Sequence, residues 1–232
     1  MTNQNFSQRN KSFRKLFLKS NITFSNNPIN RLIDVQPRND KKILLKKLKD
    51  KISTISECKL KNNSNNIVFN DGNINSPIML IGEAPGQKED ELSKPFVGEA
   101  GSLLNKMLSA INLNRKDLYI TNVVNYRPPL NRKPDSNEIR RYSEFLLEHV
   151  DIIKPKIIIL LGSTAMEAFF GSNLKISKER GIWKEMLIKD KTFLTMVTFH
   201  PAYLLRQNDQ KKYSWIDLKN IRNKIDELKI DI

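Results

Sequence analysis

The chain has 232 residues, 39% of them hydrophobic, which fits one domain of ordinary size plus an extension. Forty Lys and Arg against 25 Asp and Glu give a net charge of +15 and favour a polyanionic partner. The single cysteine, Cys58, excludes an intramolecular disulfide, no run approaches the ~18 apolar residues of a membrane span, and no apolar signal core opens the chain, so a cytoplasmic protein is expected.

Residues 1–60 hold 14 basic and 4 acidic residues, which is +10 of the +15. Residues 1–40 are polar and rich in Asn, Ser and Arg, and read as a basic extension ahead of a domain over 41–232. Residues 9–19 carry the pattern of a basic amphipathic presequence, although a solvated arm accounts for the same residues. Lys41 to Ile55 spaces Ile43, Leu44, Leu45, Leu48 and Ile52 at helical intervals. A loop over 62–75 follows, interrupted by an extended Ile67-Val-Phe69. Ile78 to Ile81 is a short buried strand, broken by Gly82 and turned by Pro85-Gly86. The stretch from Lys88 to Gly98 reads as a charged loop holding one aromatic, Phe96.

A helix is expected over 101–111, with Leu104, Met107, Leu108 and Ile111 on one face, then a strand over 117–124. Three prolines between Arg127 and Pro134 forbid a helix there, and Asp135 or Ser136 can cap the next one, over about 137–150. Lys156 to Leu161 is the clearest strand, followed by a short helix ending near Gly171. A strand over 193–199 delivers His200, and a helix over 213–228 closes the pattern. Strands alternating with helices imply an α/β fold, a mostly parallel sheet with helices on both faces.

Ligands in such folds bind past the carboxyl ends of the strands. Glu83 stands there after the first strand, Asn122 near the end of the second, and His200 after the last, so the Glu83 and His200 loops are expected to meet over one pocket. A buried asparagine offers both a donor and an acceptor, which suits the edge of a nucleobase. His149 lies inside a helix and reads as structural.

Taken in order, Gly82-Glu-Ala-Pro-Gly, Pro95-Phe-Val-Gly-Glu-Ala-Gly, Thr121-Asn-Val-Val, Arg127-Pro-Pro-Leu-Asn-Arg-Lys-Pro and His200-Pro-Ala-Tyr-Leu-Leu-Arg resemble the motifs of the family 4 uracil-DNA glycosylases. The resemblance runs from about Leu48 to Leu228. It implies a three-layer α/β/α sandwich on a four-stranded parallel sheet, and an enzyme, expected to be a monomer, that flips uracil from DNA and hydrolyses its N-glycosidic bond, leaving an abasic site. It further implies that the uracil stacks on Phe96, that Asn122 reads its Watson–Crick edge, and that His200 bonds O2 of the leaving base. The turn at Glu83 and Ala84 would hold the attacking water, with Glu89 as a second candidate. Arg127, Arg132, Tyr203, Leu204, Leu205 and Arg206 would meet DNA, the leucines as a wedge in the space left by the flipped base. The covalent uracil-trapping relatives carry a histidine in the basic loop, where this chain has Asn131, Arg132 and Lys133.

One departure is large. Family 4 members usually hold an iron–sulphur cluster on four cysteines, and the corresponding residues here are Ile55, Cys58, Tyr126 and Tyr142. A four-iron cluster needs about four thiolates. No cofactor is therefore expected, and the four side chains are expected to pack together instead. A DNA-binding domain of the same fold with little or no catalysis is the alternative reading; it has no need of Asn122 and His200 together.

Overall fold

The computed structural model describes residues 38–232, so all but the end of the basic extension lies outside the described residues. In chain order the strands are β1 (Asp71–Gly72), β2 (Ile78–Gly82), β3 (Tyr119–Asn122), β4 (Ile157–Leu161), β5 (Trp183–Ile188) and β6 (Lys191–Thr198). The helices are α1 (Arg38–Ser53), α2 (Lys59–Asn62), α3 (Gln87–Leu92), α4 (Glu99–Ser109), α5 (Ser136–Ile153), α6 (Ser163–Phe170), α7 (Ile176–Glu179), α8 (Pro201–Arg206) and α9 (Lys211–Glu227).

They form one six-stranded sheet in the order β1-β3-β2-β4-β6-β5. Its four central strands are the expected parallel ones, and β1 and β5 add an antiparallel strand at each edge. The sequence shows neither edge. β1 is two residues long, and Trp183-Lys-Glu-Met-Leu-Ile188 has an apolar run of only three residues, Met186 to Ile188, too short to mark it as β5. The hairpin to β6 turns on Lys189 at φ 54°, without the Gly that usually marks such a turn. The strand expected over 117–124 is shorter, because Arg115–Asp117 forms a 3-10 turn before it. Part of the expected charged loop after Gly86 is helix α3.

Both faces of the sheet are covered, as near-continuous apolar strands require. On one face Leu45, Leu48 and Ile52 of α1 pack with Ile139, Leu146 and Val150 of α5. On the other, Leu104 and Leu108 of α4 pack with Leu218, Ile221 and Ile225 of α9. Asp135 caps α5 through a full capping box with Glu138, which fixes where the proline-rich loop ends. Register then sets the height of the functional residues. Gly82 pairs with Asn122 and Leu161 with Thr198, so the carboxyl ends of all four parallel strands finish at one edge. No helix among the described residues is long and apolar enough to cross a membrane.

Candidate active site

A cleft of about 720 Å³ opens at that edge, within the ~300–1,000 Å³ usual for small-molecule sites. Glu83, Ala84, Phe96, Asn122, Arg132, His200, Tyr203 and Arg206 all line it, so the Glu83 and His200 loops do meet. Arg127, Leu204 and Leu205 do not line it.

Asn122 ends β3 and is 3% exposed, yet no described residue hydrogen-bonds its side-chain amide. Among the described residues the one buried side-chain polar atom without a partner is Ser214 Oγ, so the Asn122 amide is not sealed in the core but opens on the cleft, where it is free for a ligand's edge. Its Oδ1 and the Phe96 ring both crowd Gly82, where an added Cβ would lie 2.4 Å from each. Glycine at the end of β2 is what lets them converge.

Phe96 is buried at φ 53°, a left-handed conformation that costs a bulky residue about 1–3 kcal/mol. Four groups hold it there. Arg115 donates from Nη1 to the Phe96 carbonyl at 2.8 Å and from Nη2 to the Pro95 carbonyl. Asp71, on β1, accepts from Arg115 Nε at 2.8 Å and aims the fork. On the far side Glu89 Oε1 accepts from the amides of Val97 and Gly98, each at 2.8 Å. Gly101 leaves room for the Phe96 carbonyl, since a Cβ there would come within 1.9 Å of that oxygen. Glu89 is thus committed to the loop backbone, which argues against its use in ordering water. Arg115 and Asp71 carry no motif in the sequence, and only the fold reveals them.

The His200 ring lies 5.5 Å from that of Phe96, tilted by 30°. Its Nδ1 accepts from the Ala202 amide at 3.1 Å, making His200 the N-cap of α8. Burial first, then the charge of Arg206, pushes its pKa down to about 4. At neutral pH the ring is therefore uncharged, and with Nδ1 accepting, its one proton sits on Nε2 as a donor. His149 is different: it is buried, its Nε2 is 2.8 Å from the Tyr119 hydroxyl, and burial lowers its pKa to about 3. It serves the core, as its place inside a helix suggests.

Glu83 accepts from the Thr164 hydroxyl, on the first turn of α6. Leu204 is 1% exposed and belongs to the core with Phe199 and Leu218, so it has no surface to offer DNA. Leu205 is 39% exposed. Arg127 is turned back onto its own loop, where Nε donates to Asn131 Oδ1 at 2.7 Å. Arg132 makes a two-pronged pair with Glu138, at 2.7 Å on each prong.

Residues 69–220 match the family model of the uracil DNA glycosylase superfamily. The chain belongs to that superfamily. Type-4 uracil-DNA glycosylase of Thermotoga maritima is 38% identical over 72% of this chain and 86% of its own. That of Sulfurisphaera tokodaii is 40% identical over 77% of this chain and 83% of its own. A DNA polymerase of Bacillus phage SP01 is 30% identical over 64% of this chain and 16% of the polymerase.

An iron–sulphur cluster, usual in family 4 of this superfamily, does not fit the residues at its place. Cys58 offers the one thiol, and its Sγ lies 3.4 Å from the Tyr142 hydroxyl, both buried. Burial, then Cys58, pushes the Tyr126 hydroxyl up, and Ile55 packs against the same core. Apolar and aromatic volume joins these segments where thiolates would otherwise converge.

Proposed function

We propose that this protein excises uracil from DNA, releasing the base and leaving an abasic site. The observation that carries the reading is the Asn122 amide, open to the cleft that Phe96 and His200 also line and bonded by no described residue. Uracil stacks on Phe96 in place of its lost neighbours. Asn122 donates from Nδ2 to O4 and accepts from N3–H at Oδ1. Cytosine offers the reverse pattern, so it is rejected.

As the bond between C1′ and N1 breaks, its electron pair passes to the uracil ring and collects on O2. The neutral His200 donates from Nε2 to that oxygen and needs no proton of its own to leave. Water adds to C1′ and gives its proton to a carboxylate. Glu83 takes this proton; its bond from Thr164 and its place in the cleft lining with Ala84 support the role. Arg127, Arg132, Tyr203, Leu205 and Arg206 meet the DNA around the cleft. The protein acts as a monomer.

The test is alkali cleavage of matched oligonucleotides containing U or T. Cleavage of the U strand alone is expected, and intact U strands at enzyme excess would leave only a DNA-binding domain. His200→Ala should slow single-turnover release by about a hundredfold or more with DNA affinity little changed. Asn122→Asp should weaken discrimination against cytosine, and wild-type behaviour in both variants would remove these residues from the site.

A further inference from the structure

Leu130, at the tip of the proline-rich loop, is 97% exposed, while the next most exposed large apolar residue described, Leu187, is at 70%. One exposed leucine is ordinary. This one also has φ 54° and ψ 23°, and Asn131 after it has φ 57°. Left-handed backbone is unfavourable for leucine and easy for glycine. Leu130 therefore burdens the fold through its backbone and gains no burial in return.

The loop that presents it is built. Pro128 and Pro129 stiffen its start. The amides of Asn131 and Arg132 bond the carbonyls of Pro128 and Pro129, each at 3.1 Å. The Arg127 amide bonds Ser64 Oγ at 3.2 Å, and Lys133 pairs with Glu167 at 2.8 Å, so both ends are anchored. Pro128, Asn131, Arg132 and Lys133 line the cleft, which puts the leucine on its rim. Arg127, Arg132 and Lys133 flank the tip; Arg132 and Lys133 are paired with Glu138 and Glu167, and Arg127 makes no ion pair among the described residues.

We propose that Leu130 is an apolar wedge that enters the base stack of duplex DNA beside the flipped nucleotide. Its loop is separate from helix α8, which carries Leu205 and Arg206, so the duplex is engaged at two points of the cleft rim. Arg127, which no described carboxylate pairs, holds phosphate while the leucine packs against the base faces that unstacking leaves bare. The inference rests on the reading that the cleft receives a base from DNA. It adds that extraction from a duplex, as opposed to a single strand, depends on this tip.

The test compares the full chain with Leu130→Gly and Leu130→Ala. Glycine removes the wedge and suits the left-handed backbone, so its melting temperature should equal or exceed that of the parent. On a duplex with 2-aminopurine next to uracil, binding of the parent should raise the fluorescence by unstacking, and binding of Leu130→Gly should raise it far less. Uracil release from duplex should slow by roughly tenfold, while release from single strands stays within about twofold. Equal fluorescence for parent and glycine variant, slowing on both substrates alike, or a lower melting temperature for the glycine variant would each overturn the wedge. No release by the parent from either substrate would count against the proposed function instead, and the fluorescence would still decide the role of Leu130.

Discussion

The clamp on Phe96 makes a quantitative prediction. Arg115→Ala removes two charge-assisted bonds to the Pro95 and Phe96 carbonyls and the pairing with Asp71. Bonds from a charged donor contribute about 1.5–3 kcal/mol each, and the partly exposed Asp71 pair about 0–1 kcal/mol. Left-handed Phe96 costs about 1–3 kcal/mol, and once the fork is gone that cost is no longer offset by it. If about 1.4–2.8 kcal/mol then stands against the poised conformation, the population with Phe96 poised falls by roughly 10- to 100-fold. Single-turnover uracil release should fall by the same factor. A double-mutant cycle with Phe96→Ala separates this from general damage, because Arg115 acts through Phe96. In the Phe96→Ala background, loss of Arg115 should change the rate by less than about twofold. Arg115→Lys can reach one carbonyl but not both, and should fall between. A full-sized effect in the Phe96→Ala background, or a wild-type rate for Arg115→Ala, would refute the reasoning.

Three other predictions follow from the same structure. His149 and His200 have folded pKa values of about 3 and 4 against about 6.5 unfolded, so their contribution is complete above pH 6.5 and is lost as pH falls toward those values. Each should cost about 2 kcal/mol between pH 6.5 and 5, opposed in part by Asp217, whose carboxyl burial raises; a melting temperature unchanged over that window would contradict the assignment. Purified protein should lack stoichiometric iron and visible absorbance near ~400 nm, and Tyr142→Phe should destabilise it by about 1 kcal/mol through the lost Cys58 bond; four irons per chain would refute the packed core. Removing residues 1–40, which carry 7 basic and 2 acidic residues, should flatten the salt dependence of DNA binding, and an unchanged slope would show that the extension does not touch phosphate.

The four central strands, their order along the chain and the residues at their carboxyl ends were legible because a buried parallel strand is written as a short local apolar run. Glu83 and His200 could be picked out for the same reason, each standing just past a strand, and Asn122 because it lies near the end of one. What the sequence could not disclose depends on partners far apart in the chain. Phe96 keeps its left-handed backbone because Arg115 reaches back 19 residues and Asp71 holds Arg115 across 44. Neither residue differs, as a letter, from any other surface charge. Glu89 and Leu204 look available in the sequence, and tertiary packing commits one to the loop backbone and the other to the core. The neutral state of His200 likewise arises from burial and the neighbouring Arg206, which only the folded chain supplies. Local pattern fixes which segments are strands and what chemistry ends them. Long-range hydrogen bonds and burial decide which of those groups are free to act.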